Sequence, residues 1–259
     1  MPGPIQSIER AAAILRLLAR GSGRLGVGEI AEALELAKGT AHGILRTLQG
    51  VGFVEQDRDT GKYQLGAALL HLGTSYLDVN ELRSRAINWA DALAARSGEA
   101  VRIGAPLEGK VLVVHHVFRP DDTLQTLDVG TLLPLHATAL GKVLLAYDAT
   151  LVSSFVSSQR GGEPEAYTRR TLVTQTAIKR ACAKVREAGW ANERGEMVPG
   201  EAGIAAPIRG HGGIVVGAIG VSGAEDRLCE ADGSPSARLL GHVRDAARAI
   251  SRDLGASRW

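Results

Sequence analysis

The stretch over residues 27–65 constrains the fold of this chain most, because its apolar residues change from helical spacing to two strand-like runs. Two helical stripes lie on either side of a bend at Glu35: Ile30, Ala31 and Leu34, then Ala41, Ile44, Leu45 and Leu48. Two short helices joined by a tight bend are typical of a helix-turn-helix. Glycine is common at such a bend because the backbone often turns left-handed. Glu35 therefore predicts a different turn or local strain.

Two short runs with strand character follow the second helix. Residues 52–56 and 62–65 flank an Asp-Arg-Asp-Thr-Gly turn, which predicts a β-hairpin. Amphipathic helix pairs alone more often serve packing, but a hairpin behind the pair indicates a winged helix-turn-helix, with the helix-turn-helix at about 27–46 and the wing at about 53–65. In this fold the second helix enters the major groove and the wing tip meets the sugar-phosphate backbone. The predicted DNA-binding residues are Lys38, Thr40, His42, Gly43, Arg46, Arg58 and Lys62.

Overall charge does not decide whether the chain binds nucleic acid. The formal net charge is +2, and residues 1–66 hold eight Lys and Arg against seven Asp and Glu. An electrostatic footprint on DNA must therefore come from the arrangement of the charges. Several acids fall on the first helix of the pair, whereas basic groups fall on the second helix and the wing.

Length and composition favour two domains. The chain has 259 residues, of which 45% are hydrophobic, and this is enough to bury a substantial core. Cys182 and Cys229 lie in different segments without metal-ligand spacing, so neither a disulfide framework nor a zinc site is indicated. The amino terminus lacks a signal-peptide pattern and no apolar run approaches membrane length, so we expect a cytoplasmic protein.

The second half of the chain predicts an α+β domain. Strands and helices are mixed without regular alternation, which favours an antiparallel sheet covered by helices. The predicted strands are 101–107, 111–118, 123–128, 203–208 and 214–221, and the predicted helices are 137–147, 174–188 and 236–254.

Runs from both halves of the chain resemble the IclR family of bacterial transcription regulators. Its DNA-binding domain is similar to IQSIERAAAILRLLA, LAKGTAHGILRTLQGVGFVEQD and YQLGAALLHLGTSYL, and its effector domain is similar to LPLHATALGKVLLAYD, GEAGIAAPI and AISRDLGA. The resemblance implies a winged helix-turn-helix domain at 1–66, a linker helix at 67–85 and a GAF-like effector domain at 86–259. The linker helix would join the domains and pair subunits into a homodimer or homotetramer. Packing on its own subunit is the alternative.

The resemblance also implies an effector site in the second domain. Carried over position by position, its residues are Ala139, Leu140, Glu193, Gly203, Gly220 and Ser222. Relatives often have a thiol at the position of Gly203, and a hydroxyl can stand at that of Gly220. Two polar contacts are therefore absent here, and we expect a wider pocket.

Four runs resemble the glycerol-operon branch of the family: AKGTAHGILRTLQ, TSYLDVNELRSRA, VHHVFRPDD and SRDLGA. This resemblance implies a repressor relieved by glycerol 3-phosphate or glycerol, with a small carboxylate as the alternative effector. A phosphate would need a nearby cation. Spacing alone does not choose among the available ones, which are Arg102, Arg119, Lys142 and Arg209.

The residues give little support to catalysis, and we expect neither a cofactor nor a metal. His115 and His116 are adjacent on a predicted strand, so their side chains point to opposite faces and cannot chelate one ion unaided. Thr138 and Lys142 lie four apart on one helical face, a spacing that is common in structural helices. An enzyme built on the second domain, and a winged helix that binds protein instead of DNA, remain the alternatives to a DNA-binding regulator.

Overall fold

A computed structural model describes residues 3–20, 23–121, 124–158 and 163–256, and the chain forms two compact units, Met1–Val79 and Asn80–Trp259. The elements of the first unit are α1 (Gln6–Leu18), α2 (Val27–Ala33), α3 (Lys38–Gly50), β1 (Val54–Gln56), β2 (Tyr63–Leu65) and α4 (Ala68–Val79). β1 and β2 pair antiparallel. The predicted winged helix-turn-helix is confirmed.

One apolar core holds this unit together. Ile14 of α1, Ile30 of α2, Leu45 of α3 and the wing residues Val54 and Tyr63 are each at most 4% exposed and pack in one cluster. Each amphipathic helix buries its stripe against the other two, and the wing covers one end of the cluster.

The bend between α2 and α3 has the local backbone strain that was one of the two outcomes predicted from Glu35. Glu35 has a φ of 52°, the left-handed region that glycine normally occupies. The bend is closed by the N–H of Leu36, which donates to the carbonyl oxygen of Ala31 at 2.8 Å. A left-handed non-glycine residue costs about 1–2 kcal/mol, so the packing of the two helices must enforce this conformation.

The linker differs from the single helix predicted over residues 67–85. The structure has two helices there, α4 and α5 (Glu81–Ser97), and the boundary between the two compact units lies between them. Asn80 starts α5, because its side-chain oxygen accepts from the N–H of Arg83 at 2.9 Å. The helical periodicity continues across this cap and does not reveal it.

The second unit contains a six-stranded antiparallel sheet with the order β5-β4-β3-β8-β7-β6. Its remaining elements are β3 (Ala100–Leu107), β4 (Lys110–Val117), β5 (Leu132–Leu133), α6 (Ala139–Tyr147), α7 (Ala149–Ser158), α8 (Gln175–Ala188), β6 (Ala191–Arg194), β7 (Glu201–Arg209), a 3-10 turn (His211–Gly213), β8 (Val215–Ala224), α9 (Glu225–Leu228) and α10 (Ala237–Asp253). The predicted α+β class is confirmed.

Both faces of the sheet are covered. The helices α5 and α10 pack in one cluster with Ile204 and Ile219, while α6 and α8 pack in another with Ala205 and Ala218. Alternate residues of one strand therefore enter opposite cores, which is why the central strands are apolar on both sides.

The strand predicted at 123–128 is wrong for residues 124–128, which form a loop. Side chains hold this loop instead of a strand ladder. Gln125 accepts from the N–H of Arg119 at 2.7 Å and donates to its carbonyl oxygen at 2.9 Å, and Asp128 binds Arg102.

None of the helices in the described segments is long and apolar enough to cross a bilayer.

We expect Gly141→Ala to lower the free energy of unfolding by about 1–3 kcal/mol, because a Cβ there would lie 2.5 Å from the Cα of Leu135. The matched control is Gly241→Ala in α10, where a Cβ meets nothing within 4 Å, and it should raise stability by about 0.5–1 kcal/mol. Urea unfolding of both variants measures the difference, and equal shifts would contradict this account of α6 packing.

Candidate functional site

The exposed face of α3 carries four of the residues predicted to bind DNA, and it lies opposite the buried stripe of this helix. These four are Lys38, His42, Gly43 and Arg46, and Thr40 is half-buried. The buried stripe of Ala41, Leu45 and Leu48 fixes α3 in the core. The exposed side chains are therefore presented by a rigid element, as recognition of base edges requires.

The backbone of α3 is also open to a partner. Its cap residue, Ala37, supplies no side-chain acceptor, so the N–H groups of the first turn remain available to an external acceptor such as a phosphate. A Cβ at Gly39 or Gly43 would meet nothing within 4 Å, so packing does not explain these two glycines. They let another surface approach the helix backbone closely, at a cost of about 0.5–1 kcal/mol of helix stability each.

The wing tip is ordered by Asp57, whose side chain accepts from the N–H groups of Asp59 at 3.0 Å and Thr60 at 2.8 Å. The hydrogen bonds from Thr60 are the main reason that the pKa of Asp57 lies below its usual range. Arg58 is exposed at this tip, where it can meet a phosphate. The Lys62 Nζ lies 3.7 Å from Glu29, and since both side chains are about half exposed, the pair is weak.

All six residues predicted to bind an effector line one cavity of about 220 Å³ in the second unit. The cavity lies between the first turn of α6 and strands β3, β6, β7 and β8. Arg102, Asp128 and Glu201 also line it. The sequence did not single out Asp128 or Glu201, because they come from a loop and a strand end that carry no distinctive spacing.

The two glycines of the site, Gly203 and Gly220, differ in whether a side chain would fit in their place. A Cβ at Gly203 would lie 3.5 Å from Ala139 and from Glu193, which is ordinary contact, so the cavity is wider there for lack of a side chain. A Cβ at Gly220 would lie 2.6 Å from the carbonyl oxygen of Ile204. The predicted widening therefore applies at Gly203, whereas Gly220 is required by the close approach of the backbone of β7.

The first turn of α6 offers backbone donors to this cavity. Thr138 caps the helix, since its hydroxyl accepts from the N–H of Gly141 at 3.1 Å and donates to the carbonyl oxygen of Pro134 at 2.8 Å. Ala139 and Leu140 line the cavity, and their N–H groups have no acceptor within the helix. A ligand oxygen can accept from them, and the helix dipole favours a negative one.

Glu193 is a buried carboxyl at the cavity wall, 8% exposed. Its Oε2 accepts from the N–H of Glu196 at 3.1 Å, and Lys142 nearby forms an ion pair with Glu196 at 2.5 Å. Burial raises the pKa of Glu193 to about 7, although the hydrogen bond from Glu196 acts in the opposite direction. The carboxyl can therefore donate or accept a hydrogen bond near neutral pH.

Arg102 is the only basic residue among the described residues that line the cavity. Its Nη2 lies 2.6 Å from Asp128 Oδ2, and its Nη1 donates to Ser222 Oγ at 2.5 Å. Of the four candidate cations, only Arg102 lines this cavity in the described part of the chain, and Arg119, Lys142 and Arg209 do not. Lys142 is paired with Glu196, and Arg209 donates to Gly213 and lies over the Tyr147 ring.

The two residues considered for catalysis, and His116 of the two histidines considered for metal binding, have structural partners. The Thr138 hydroxyl donates to Pro134, and Lys142 is held by Glu196, so the two do not form a nucleophile and base. His116 is buried and accepts from the N–H of Asp128 at 3.1 Å, while His115 is half-buried. Within the described ranges, no group of three or more His, Cys, Asp and Glu side chains could hold a metal ion.

A winged helix-turn-helix with an exposed basic face on its second helix, in one chain with an α+β unit whose cavity is lined by apolar residues and a few polar groups, defines a DNA-binding transcription regulator. Family comparison agrees. The IclR helix-turn-helix domain matches residues 7–58, and the domain described as "Bacterial transcriptional regulator IclR C-terminal" matches residues 74–252. The chain belongs to the IclR family, as its sequence motifs predicted.

Relatives match nearly the whole chain. The Glycerol operon regulatory proteins of Streptomyces coelicolor and Streptomyces griseus are 54% and 52% identical to it over 255 residues, which is 98% of this chain and 98% of each relative. The crystal structure of an IclR transcriptional regulator from Alicyclobacillus acidocaldarius superimposes with a TM-score of 0.82 at 27% identity, covering 96% of this chain and 99% of that one.

We expect Glu193→Gln to change the pH dependence of stability. With the pKa raised to about 7 from 4.5, the folded protein holds a proton that the unfolded protein has released, so wild-type stability falls as pH rises across this window. The full loss, reached above pH 7, is roughly 3–4 kcal/mol. Glutamine does not titrate, so the free energy of unfolding of the variant should rise relative to that of the wild type between pH 5 and pH 8. Urea unfolding at several pH values measures this difference. Parallel profiles would show that Glu193 ionises normally.

Proposed function

We propose that this regulator represses a glycerol-utilisation operon and that a small glycerol-derived effector, bound in the cavity, releases it from the operator. One observation carries the proposal. In a chain 54% identical to a Glycerol operon regulatory protein, backbone donors, a hydroxyl and a single arginine converge on a cavity of about 220 Å³. That volume suits a molecule of a few heavy atoms. Glycerol 3-phosphate, glycerol and a small carboxylate are the candidates.

DNA recognition depends on the outward face of α3 and on the wing. Arg46 is the residue best suited to base edges, because arginine pairs bidentately with guanine and its position faces away from the core. Lys38, Thr40, His42 and Gly43 extend the same contact along α3. Arg58 and Lys62 would meet phosphates, which set affinity and register but not sequence.

A single small winged helix grips DNA weakly, so we propose a homodimer or homotetramer that places two copies of α3 on two half-sites. The residues of α4 and the start of α5 would pair the subunits. An effector can release the operator only by binding one subunit arrangement better than another, and the same coupling makes DNA weaken effector binding.

Because the target is DNA, we place the protein in the cytoplasm.

An enzyme built on the second unit is the alternative function. It would require an acid-base pair or an activated nucleophile at the cavity. The hydrogen bonds of Thr138 and the ion pair of Lys142 weigh against this alternative. Turnover of any cavity ligand by the purified protein would favour it over the regulator-only proposal.

We expect Arg46→Ala to weaken operator binding by about 10- to 100-fold, which corresponds to loss of one bidentate base contact. The matched control is Arg238→Ala, which removes an exposed arginine from α10 in the other unit and should leave operator affinity within about twofold. Fluorescence anisotropy at fixed salt measures both, since phosphate contacts make affinity salt-dependent. Unchanged affinity in Arg46→Ala would instead support a winged helix that binds protein.

The effector proposal predicts that glycerol 3-phosphate or glycerol releases the full-length protein from the DNA upstream of its own gene and neighbouring operon. Titration of the preformed complex with each compound, and with glycerate as a small carboxylate, identifies the effector. Release by one of the glycerol compounds supports the glycerol assignment. Specific binding that none of them changes would retain the DNA-binding regulator and reject this effector class.

A further inference from the structure

Arg102 stands at the mouth of the effector cavity. Together with Glu201 and Ser222, it also lines a second, more open pocket of about 370 Å³ on the outer side. Arg119 and Arg227 also line the outer pocket, but of these three arginines only Arg102 lines the effector cavity as well. The Arg102 side chain is 27% exposed, so a charge-assisted hydrogen bond formed there is only partly screened by water.

Asp128 occupies the anion-binding side of Arg102. The Asp128 Oδ2 accepts from Nε at 2.7 Å and lies 2.6 Å from Nη2. Arginine can use these two nitrogens to form a bidentate pair with a carboxylate or a phosphate. The remaining nitrogen, Nη1, donates to Ser222 Oγ, which leaves the Ser222 proton free to point to a ligand oxygen in the cavity.

We propose that Arg102 recognises the anionic group of the effector, and that this phosphate or carboxylate replaces Asp128 on the guanidinium. The inference rests on the proposed function, because it names the chemical class of the molecule bound in that cavity. A neutral polyol cannot make this exchange, since displacing Asp128 would leave the partly buried charge of Arg102 without a partner. The effector is therefore a hydroxylated anion.

Displacement of Asp128 from Arg102 would also free the loop that carries Asp128. Asp128 belongs to the loop that leads into β5, and it is tied to β4 through the hydrogen bond from its N–H to His116. Thr131, two residues before Leu133 of β5, lines the cavity and donates its N–H to the carbonyl oxygen of Asp128 at 2.9 Å. Loss of the Arg102 contact removes the side-chain bond between this loop and β3. The loop then has two arrangements that an effector can select between.

The test compares Arg102→Gln and Asp128→Asn in the full-length protein. Calorimetry measures binding of glycerol 3-phosphate, glycerate and glycerol, and anisotropy measures release of operator DNA. Arg102→Gln should weaken binding of the anionic effector by about 10- to 100-fold. Asp128→Asn should tighten it by about three- to tenfold, because the competing carboxylate is gone. Arg170→Gln, which breaks the more exposed pair with Glu225 outside the cavity, is the control and should change neither.

The opposite signs are decisive, since a pair that only supports the fold would weaken binding in both variants. Equal weakening, or anion binding that Arg102→Gln does not change, would overturn the inference while leaving a glycerol-responsive regulator in place. Anion binding that follows the predicted signs without releasing DNA would support the inference and overturn the proposed function. Binding of glycerol alone would overturn the exchange. Tighter binding of glycerol 3-phosphate than of glycerate would identify phosphate as the group that Arg102 recognises.

Discussion

The effector cavity depends on the close approach of α6 to the turn that precedes it, where Gly141 packs against the backbone of Leu135. Residues Ala139 to Ala146 of this helix are all buried, so its first turn is held from every side. The donors of Ala139 and Leu140 therefore keep a fixed direction. Opposite them, Gly203 leaves the space that a side chain would fill. Backbone packing, more than side-chain chemistry, makes the cavity.

Several charged groups around this cavity are paired or neutralised. Lys142 is matched by Glu196, Arg102 by Asp128, and Glu193 takes up a proton near neutral pH because burial disfavours its charge. A charge in a poorly hydrated site needs a partner, so an anion that bound there as proposed would exchange with Asp128. The proposed exchange would convert ligand charge into movement of a loop, which simple cavity filling would not do.

The DNA-binding unit shows how a recognition surface can lower the stability of its own fold. Glu35 holds a left-handed backbone at the bend, and Gly39 and Gly43 weaken α3 without filling any gap in the core. Gly39 and Gly43 leave the backbone of α3 accessible, which fits the proposed contact with DNA and lowers the stability of the free domain. Such a unit benefits from pairing, because two half-sites multiply a modest individual affinity.

Local periodicity and turn residues in the sequence were enough to predict the helix-turn-helix, the wing and the α+β class. The six residues that line one cavity were carried over, position by position, from the resemblance to the IclR family. Three features became visible only in the folded chain: Asn80 divides the linker, residues 124–128 form a loop, and Arg102 meets Asp128 and Ser222. The first two are fixed by side-chain hydrogen bonds to nearby residues, which helical or strand periodicity does not encode. Arg102 meets partners 26 and 120 residues away, and such separations leave no trace in local spacing.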